Sequence, residues 1–235
     1  MDERENVLTE CDRVIQDDFD YDEEPFVVIE ELNEEKVILG LCNAIFAHHL
    51  SDEDGDVADS LDATDELASL TDDNEAYISG KQFLAQFLKN LPKPITVVQE
   101  GYHIDRSFRD TYYMYFSNQH FQIKRYSRRL SFFKGAYDVE KYFDTSDDDA
   151  IGKELESNFI GCCVINPLVA GAIGRTLVNP LYALSNKRSV AYMRLSDFAV
   201  HIYGRTFTVR AFPYRMQDEE TMCCAEVTLL NLLEY

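Results

Sequence analysis

Phe198-Ala-Val-His-Ile-Tyr-Gly-Arg-Thr-Phe-Thr-Val-Arg-Ala-Phe212 reads as two strands, Phe198–Tyr203 and Arg205–Phe212, turned at Gly204. After Gln217 the spacing of apolar residues becomes helical. Working back from the hairpin, strand character recurs at Ser189–Leu195, Gly174–Val178, Phe159–Ile165, Arg129–Phe133 and Ile95–Gln99. Between these, Arg106–Ser117 predicts an aromatic-rich helix. Ser146–Glu156 predicts a short one, with Ser146 as its N-cap. Further upstream, Phe26–Leu32 has strand character. Glu34–Leu50 and Ile78–Leu91 read as amphipathic helices, the second stopped by Pro92 and Pro94. The predicted class is α+β: N-terminal helices, a mostly antiparallel sheet and a C-terminal helix. The expected units are an acidic helical region over residues 1–94, partly flexible across 51–76, an α+β domain over 95–212, and the start of a further domain over 213–235.

The chain has 235 residues, enough for a sizeable core. No run approaches the roughly 18 consecutive apolar residues of a membrane span. Met1-Asp-Glu-Arg-Glu-Asn has neither the basic nor the apolar region of a signal peptide, so the expected compartment is the cytoplasm. Cys11 and Cys42 are isolated, while Cys162-Cys163 and Cys223-Cys224 are adjacent pairs without C-x-x-C spacing. Reduced, mostly buried thiols are expected. The net charge of −21 is unevenly placed, because residues 1–80 hold 26 Asp/Glu against 3 Lys/Arg. Like charge repels phosphate, so neither nucleic acid nor an anionic membrane is an expected partner of that third.

Several clusters invite a functional reading and do not sustain it. Asp52-Glu-Asp-Gly-Asp56 resembles a calcium loop, but Val57 and Ala63 stand where an EF-hand needs glycine and glutamate. His48-His49 at the end of a predicted helix suit its dipole, and no metal site is assigned. Lys124, Arg125, Arg128 and Arg129 follow the aromatics Tyr112, Tyr113, Tyr115 and Phe116. Such a set can stack bases, but a buried helical face with the arginines pairing Asp105 or Asp110 is the preferred account.

The terminal segment is different, because several chemical requirements converge in Gln217-Asp-Glu-Glu-Thr-Met-Cys-Cys-Ala-Glu-Val-Thr-Leu-Leu. A nucleophilic cysteine reacts as thiolate, and the free N–H groups of a helix start favour that form. A nearby glutamine amide supplies a donor for a developing oxyanion. Ala225 leaves room for a substrate backbone. Val227, Leu229, Leu230, Leu232 and Leu233 are expected to form the helix's buried side.

These residues resemble the nucleophile helix of the papain-like cysteine peptidase superfamily, in particular bacterial proteins similar to double-glycine leader peptidases. Tyr102–Tyr113, Arg129–Phe133, Phe159–Leu168 and Ile173–Val178 also resemble segments of long bacterial proteins carrying such a domain. The resemblance covers about residues 95–235. It implies Cys224 as nucleophile, with Cys223 as the alternative, and Gln217 as oxyanion donor. In such enzymes the base histidine follows the cysteine, and no histidine follows His201 here. A permuted arrangement would make His201, with Asp197 nearby, the alternative base.

The expectation is therefore the N-terminal portion of a bacterial papain-like cysteine peptidase or amidase, silent without its base. Its substrate would be a protein or peptide, and no cofactor is expected. The alternative is a non-enzymatic protein-interaction module whose closing helix is structural.

Overall fold

The computed structural model describes residues 26–47, 75–118, 123–138, 149–168, 172–183, 193–217, 221 and 224–234. In chain order these form β1 (Phe26–Ile29), α1 (Glu34–Ala47), α2 (Glu75–Asn90), β2 (Ile95–His103), α3 (Arg106–Met114), a 3₁₀ turn (Phe116–Asn118), β3 (Ser127–Lys134), α4 (Asp149–Asn158), β4 (Phe159–Ile165), β5 (Ile173–Val178), α5 (Pro180–Ala183), β6 (Ser196–Ile202), β7 (Arg205–Ala211) and α6 (Cys224–Glu234). Strands β1 to β5 make one antiparallel sheet in that order, and β6–β7 make a second, two-stranded one. The class is α+β. Among the described residues, no helix is long and apolar enough to cross a membrane.

Periodicity explains how the layers pack. On α1, Ile38, Leu41, Cys42, Ile45 and Phe46 recur at helical spacing and are all buried. They meet Leu84, Leu88 and Leu91, and with Ile95, Val97, Leu130, Phe132, Ile160 and Ile173 of the sheet they form the first core. This core and the β1–β2 pairing run across positions 94 and 95, so both sides of that expected boundary share one hydrophobic interior. Lys93 donates to the carbonyls of Leu88 (2.6 Å) and Leu91 (3.0 Å), satisfying main-chain acceptors at the end of α2.

The opposite face of the sheet carries a second core. Here Val98, Phe133, Phe159, Cys162 and Leu177 pack against Val200, Ile202, Phe207, Val209 and Ala211 of the hairpin. Every residue of β4 is buried, as expected of a strand covered on both faces. Its alternation slips by one at Gly161, where the β3–β4 register shifts. Phe159 and Cys162 consequently both face the hairpin, whereas Ile160, Cys163 and Ile165 face the helices.

The hairpin has a two-residue turn, with Tyr203 at φ 44° and Gly204 at φ 80°. Two successive positive φ values give the primed geometry whose twist matches the flanking strands. The strand expected at Ser189–Leu195 is corrected in part: Met193–Leu195 are not strand, and β6 begins at Ser196. Its first residue pairs with Ala211, shortly before Pro213, which has no N–H to continue a ladder. Residues 189–192, Ser146, His48-His49, the Asp52–Asp56 run and most of 51–76 lie outside the described residues.

Candidate functional site

β5 lies at the edge of the main sheet, and the chain returning from β7 seals it. Thr176 and Tyr214 exchange two backbone hydrogen bonds, of 2.7 and 3.0 Å, and the Met216 N–H donates to the Ile173 carbonyl at 2.9 Å. The Tyr214 ring stacks on Phe83 of α2 at 5.6 Å. Gln217 therefore leaves directly from an anchored segment. The structure brings it together with Cys224, the first residue of α6. The thiol donates to the Gln217 amide oxygen at 2.8 Å, and both residues are exposed. Thr228 returns a hydroxyl hydrogen bond to the Cys224 carbonyl at 2.7 Å, within the same helix turn.

The other described cysteines are different. Cys42, Cys162 and Cys163 are free and buried. Burial pushes their thiols up to about 11, 11 and 12 respectively. Raised thiol pKa values suppress the reactive thiolate, so only Cys224 among these four combines a free sulfur with solvent access. Cys11 and Cys223 lie outside the described residues.

His201 sits on β6 in the second sheet. Its Nδ1 is 2.9 Å from the hydroxyl of Thr206, its cross-strand partner, and its carbonyl accepts from Arg129. It makes no hydrogen bond to Gln217 or Cys224 among the described residues. Asp197 pairs with Arg210 in register on the same hairpin. No group of three or more His, Cys, Asp or Glu is placed to hold a metal ion among the described residues.

The leucine-rich helix corrects one expectation. No residue of α6 is fully buried, and Leu229, Leu232 and Leu233 are 57%, 58% and 74% exposed. At about 100° per residue, Val227, Leu230, Asn231 and Glu234 share one side, and the three exposed leucines share the other. Only the first side, half-buried, meets the body of the protein.

α6 is instead tied down through charge. Arg175 of β5 donates to one oxygen of the Glu234 carboxylate at 3.0 Å, and Arg215 donates to the other. Arg215 is itself buried and donates to Ser107 at the start of α3 at 2.9 Å. Sequence reading singled out none of these three residues. Glu234 lies 59 positions from Arg175 and 19 from Arg215, so no helical or strand period links them. The one available signal is a lone arginine inside the apolar strand Ile173-Gly-Arg-Thr-Leu-Val178.

The basic cluster also pairs differently from expectation. Arg129 makes a two-pronged bond to Glu100 on the neighbouring strand, at 2.5 and 2.9 Å. Asp105 caps α3 by accepting from the Phe108 N–H at 3.0 Å, and Asp110 pairs with adjacent Arg109 at 2.8 Å. Cross-strand register placed Glu100 opposite Arg129, which the spacing along α3 did not reveal. Of the aromatic set, Phe116 is buried and packs with Phe108, Tyr112 is half-buried, and Tyr113 and Tyr115 are exposed.

His103 ends β2 beside these charges. Burial, and then the Arg129 guanidinium, hold its imidazole down at about 4, with Arg175 adding to the effect and Asp105 opposing it. The unfolded chain takes up this proton near 6.5, whereas the folded chain refuses it until about 4. Stability should therefore fall as pH drops through that interval, since the unfolded state binds more protons there. Urea unfolding across the interval should show a flatter pH dependence for His103→Gln than for the wild type. Identical slopes would exclude His103 as the source.

Compared with protein-family models, with curated proteins and with solved structures, the chain gives no match.

Proposed function

We propose that this chain carries the nucleophile half of a papain-like cysteine peptidase or amidase site, with Cys224 as nucleophile and Gln217 as oxyanion donor. The observation that supports it is the 2.8 Å contact between the Cys224 sulfur and the Gln217 amide, at the first residue of a helix. The Cys224 thiolate attacks a peptide or isopeptide carbonyl carbon, forming a C–S bond while the carbonyl π electrons move to oxygen. In the resting contact the amide oxygen accepts from the thiol. A half-turn of the amide presents its N–H₂ to the oxyanion instead, and main-chain N–H groups at the helix start add further donors. A general base takes the Cys224 thiol proton before attack; collapse expels the amine, which recovers that proton from it, and water then hydrolyses the thioester to a carboxylate and the free thiol. In this reading a group other than His201 supplies the general base, and the open side of α6 with Leu229, Leu232 and Leu233 is the apolar seat for whatever carries it. Free thiols at Cys42, Cys162, Cys163 and Cys224 support a reducing, cytoplasmic setting.

A second reading takes α6 as a docking helix in a non-enzymatic interaction module, favoured by the same exposed leucines. The two readings separate in a labelling experiment. The folded protein is treated with iodoacetamide and modified cysteines are located by mass spectrometry in wild type, Cys224→Ser and Cys223→Ser. The expected result is native-state labelling at Cys224, lost in Cys224→Ser, kept in Cys223→Ser and slowed or accelerated by Gln217→Ala. Modification of the cysteines only after denaturation would sink the nucleophile assignment.

A further inference from the structure

We propose that the Arg175–Glu234–Arg215 bridge is a positioning device that holds Cys224 in register with Gln217. The inference rests on the reading of Cys224 and Gln217 as one site, and it concerns residues at the far end of the helix.

Packing alone fixes α6 weakly. It buries no residue fully, and its inner side offers only the half-buried Val227, Leu230 and Asn231 beside Glu234. That inner side also carries a polar penalty, because the buried Asn231 side-chain oxygen has no hydrogen-bond partner among the described residues. A helix of 11 residues is marginal on its own in water, so its direction depends on what grips it. At the end of α6 one carboxylate is held by two guanidinium groups, one per oxygen. Charge-assisted pairs of this kind are stronger and more directional than neutral hydrogen bonds.

Arg215 makes the grip relevant to the site. It lies two residues before Gln217, in the segment clipped to β5 through Tyr214 and Met216. The same side chain reaches Ser107 of α3 and Glu234 of α6, and its buried Nε has no partner among the described residues. One arginine therefore joins the strand-edge segment that emits Gln217 to the helix that begins with Cys224. A rigid helix transmits this restraint over ten residues, about 15 Å. Glu234, Arg175 and Arg215 are positioning residues, since none of them touches the sulfur.

The test combines amide hydrogen exchange with a double-mutant cycle. Glu234→Gln keeps the shape of the side chain and removes its charge. It should speed exchange over Val227–Leu233 by about tenfold or more, the loss expected for a charged hydrogen bond, while the β3 and β4 amides stay protected. Gln217→Ala should change the rate of Cys224 alkylation in the wild type and have no effect in Glu234→Gln. Arg175→Gln, on the rim of the pair, should give the same two changes at smaller size. Unchanged exchange in α6, or a Gln217 effect equally large with and without the Glu234 charge, would overturn the device. No Gln217 effect even in the wild type would overturn the reading of the site itself, and the register claim with it.

Discussion

Gly161→Ala should strongly destabilise the fold and lower its urea midpoint. Gly161 holds φ at +145°, a region that side chains with a Cβ rarely enter. A Cβ built there lies 2.1 Å from the Leu177 carbonyl oxygen and 2.7 Å from the Val178 Cα, both main-chain atoms of β5. Neither can swing aside as a side chain would. Relief requires β4 and β5 to separate, in the middle of the strand buried on both faces. Backbone strain and overpacking together should cost about 3 to 5 kcal/mol, a large share of a domain's stability. Gly40→Ala is the control, because a Cβ there meets nothing within 4 Å. In mid-helix it should stabilise by about 0.5 to 1 kcal/mol. Urea midpoints for the two variants should move in opposite directions. Equal midpoints would show that the bulge at Gly161 tolerates a side chain.

Arg129→Met should be the next most damaging change. The Arg129 and Glu100 side chains are 11% and 19% exposed, so removing the guanidinium leaves a carboxylate largely out of water. Breaking one partner of such a pair costs about 3 kcal/mol, mostly the penalty of the remaining charge. The hairpin also loses the donor that holds the His201 carbonyl against the sheet. Pairing Arg129→Met with Glu100→Gln should recover much of the loss, whereas an additive double variant would place the effect elsewhere. The same change should raise the His103 pKa from its depressed value, because Arg129 is the largest charged contributor to the depression. An NMR titration of His103 reads this directly.

Local order was legible in the sequence wherever one residue type settled one question. Phe159–Ile165 is apolar throughout and has the bounds read for it, while Gly204 and the residues around it specify the hairpin turn. Asp105 lies directly before α3 and caps it, although its sequence reading was as an arginine partner. The contact between Gln217 and Cys224 was also open to sequence reading, because they stand seven positions apart and a turn into a helix can bring them together. What stayed hidden depends on register between distant segments. Glu100 meets Arg129 only because β2 and β3 pair as they do, and Glu234 meets Arg175 only because the end of α6 reaches β5. The leucines of α6 misled for a related reason: composition announced an apolar helix, and the angular placement of Leu229, Leu232 and Leu233 left one side open.

The sheet order β1-β2-β3-β4-β5 sets a timetable for folding. Each strand pairs with the next strand along the chain, so pairing can proceed by successive closures, the longest of them from Ile29 across both helices to Ile95. The β6–β7 hairpin, closed by two residues, can form alone within about 1 to 10 microseconds. The edge of β5 cannot be sealed until Tyr214 follows that hairpin into place, and α6 cannot be gripped until Arg175 and Arg215 are both set. The grip on Glu234 therefore comes late, after both cores have closed. The exposed Cys224 thiol thus sits on a helix that is fixed only once the rest of the chain has folded.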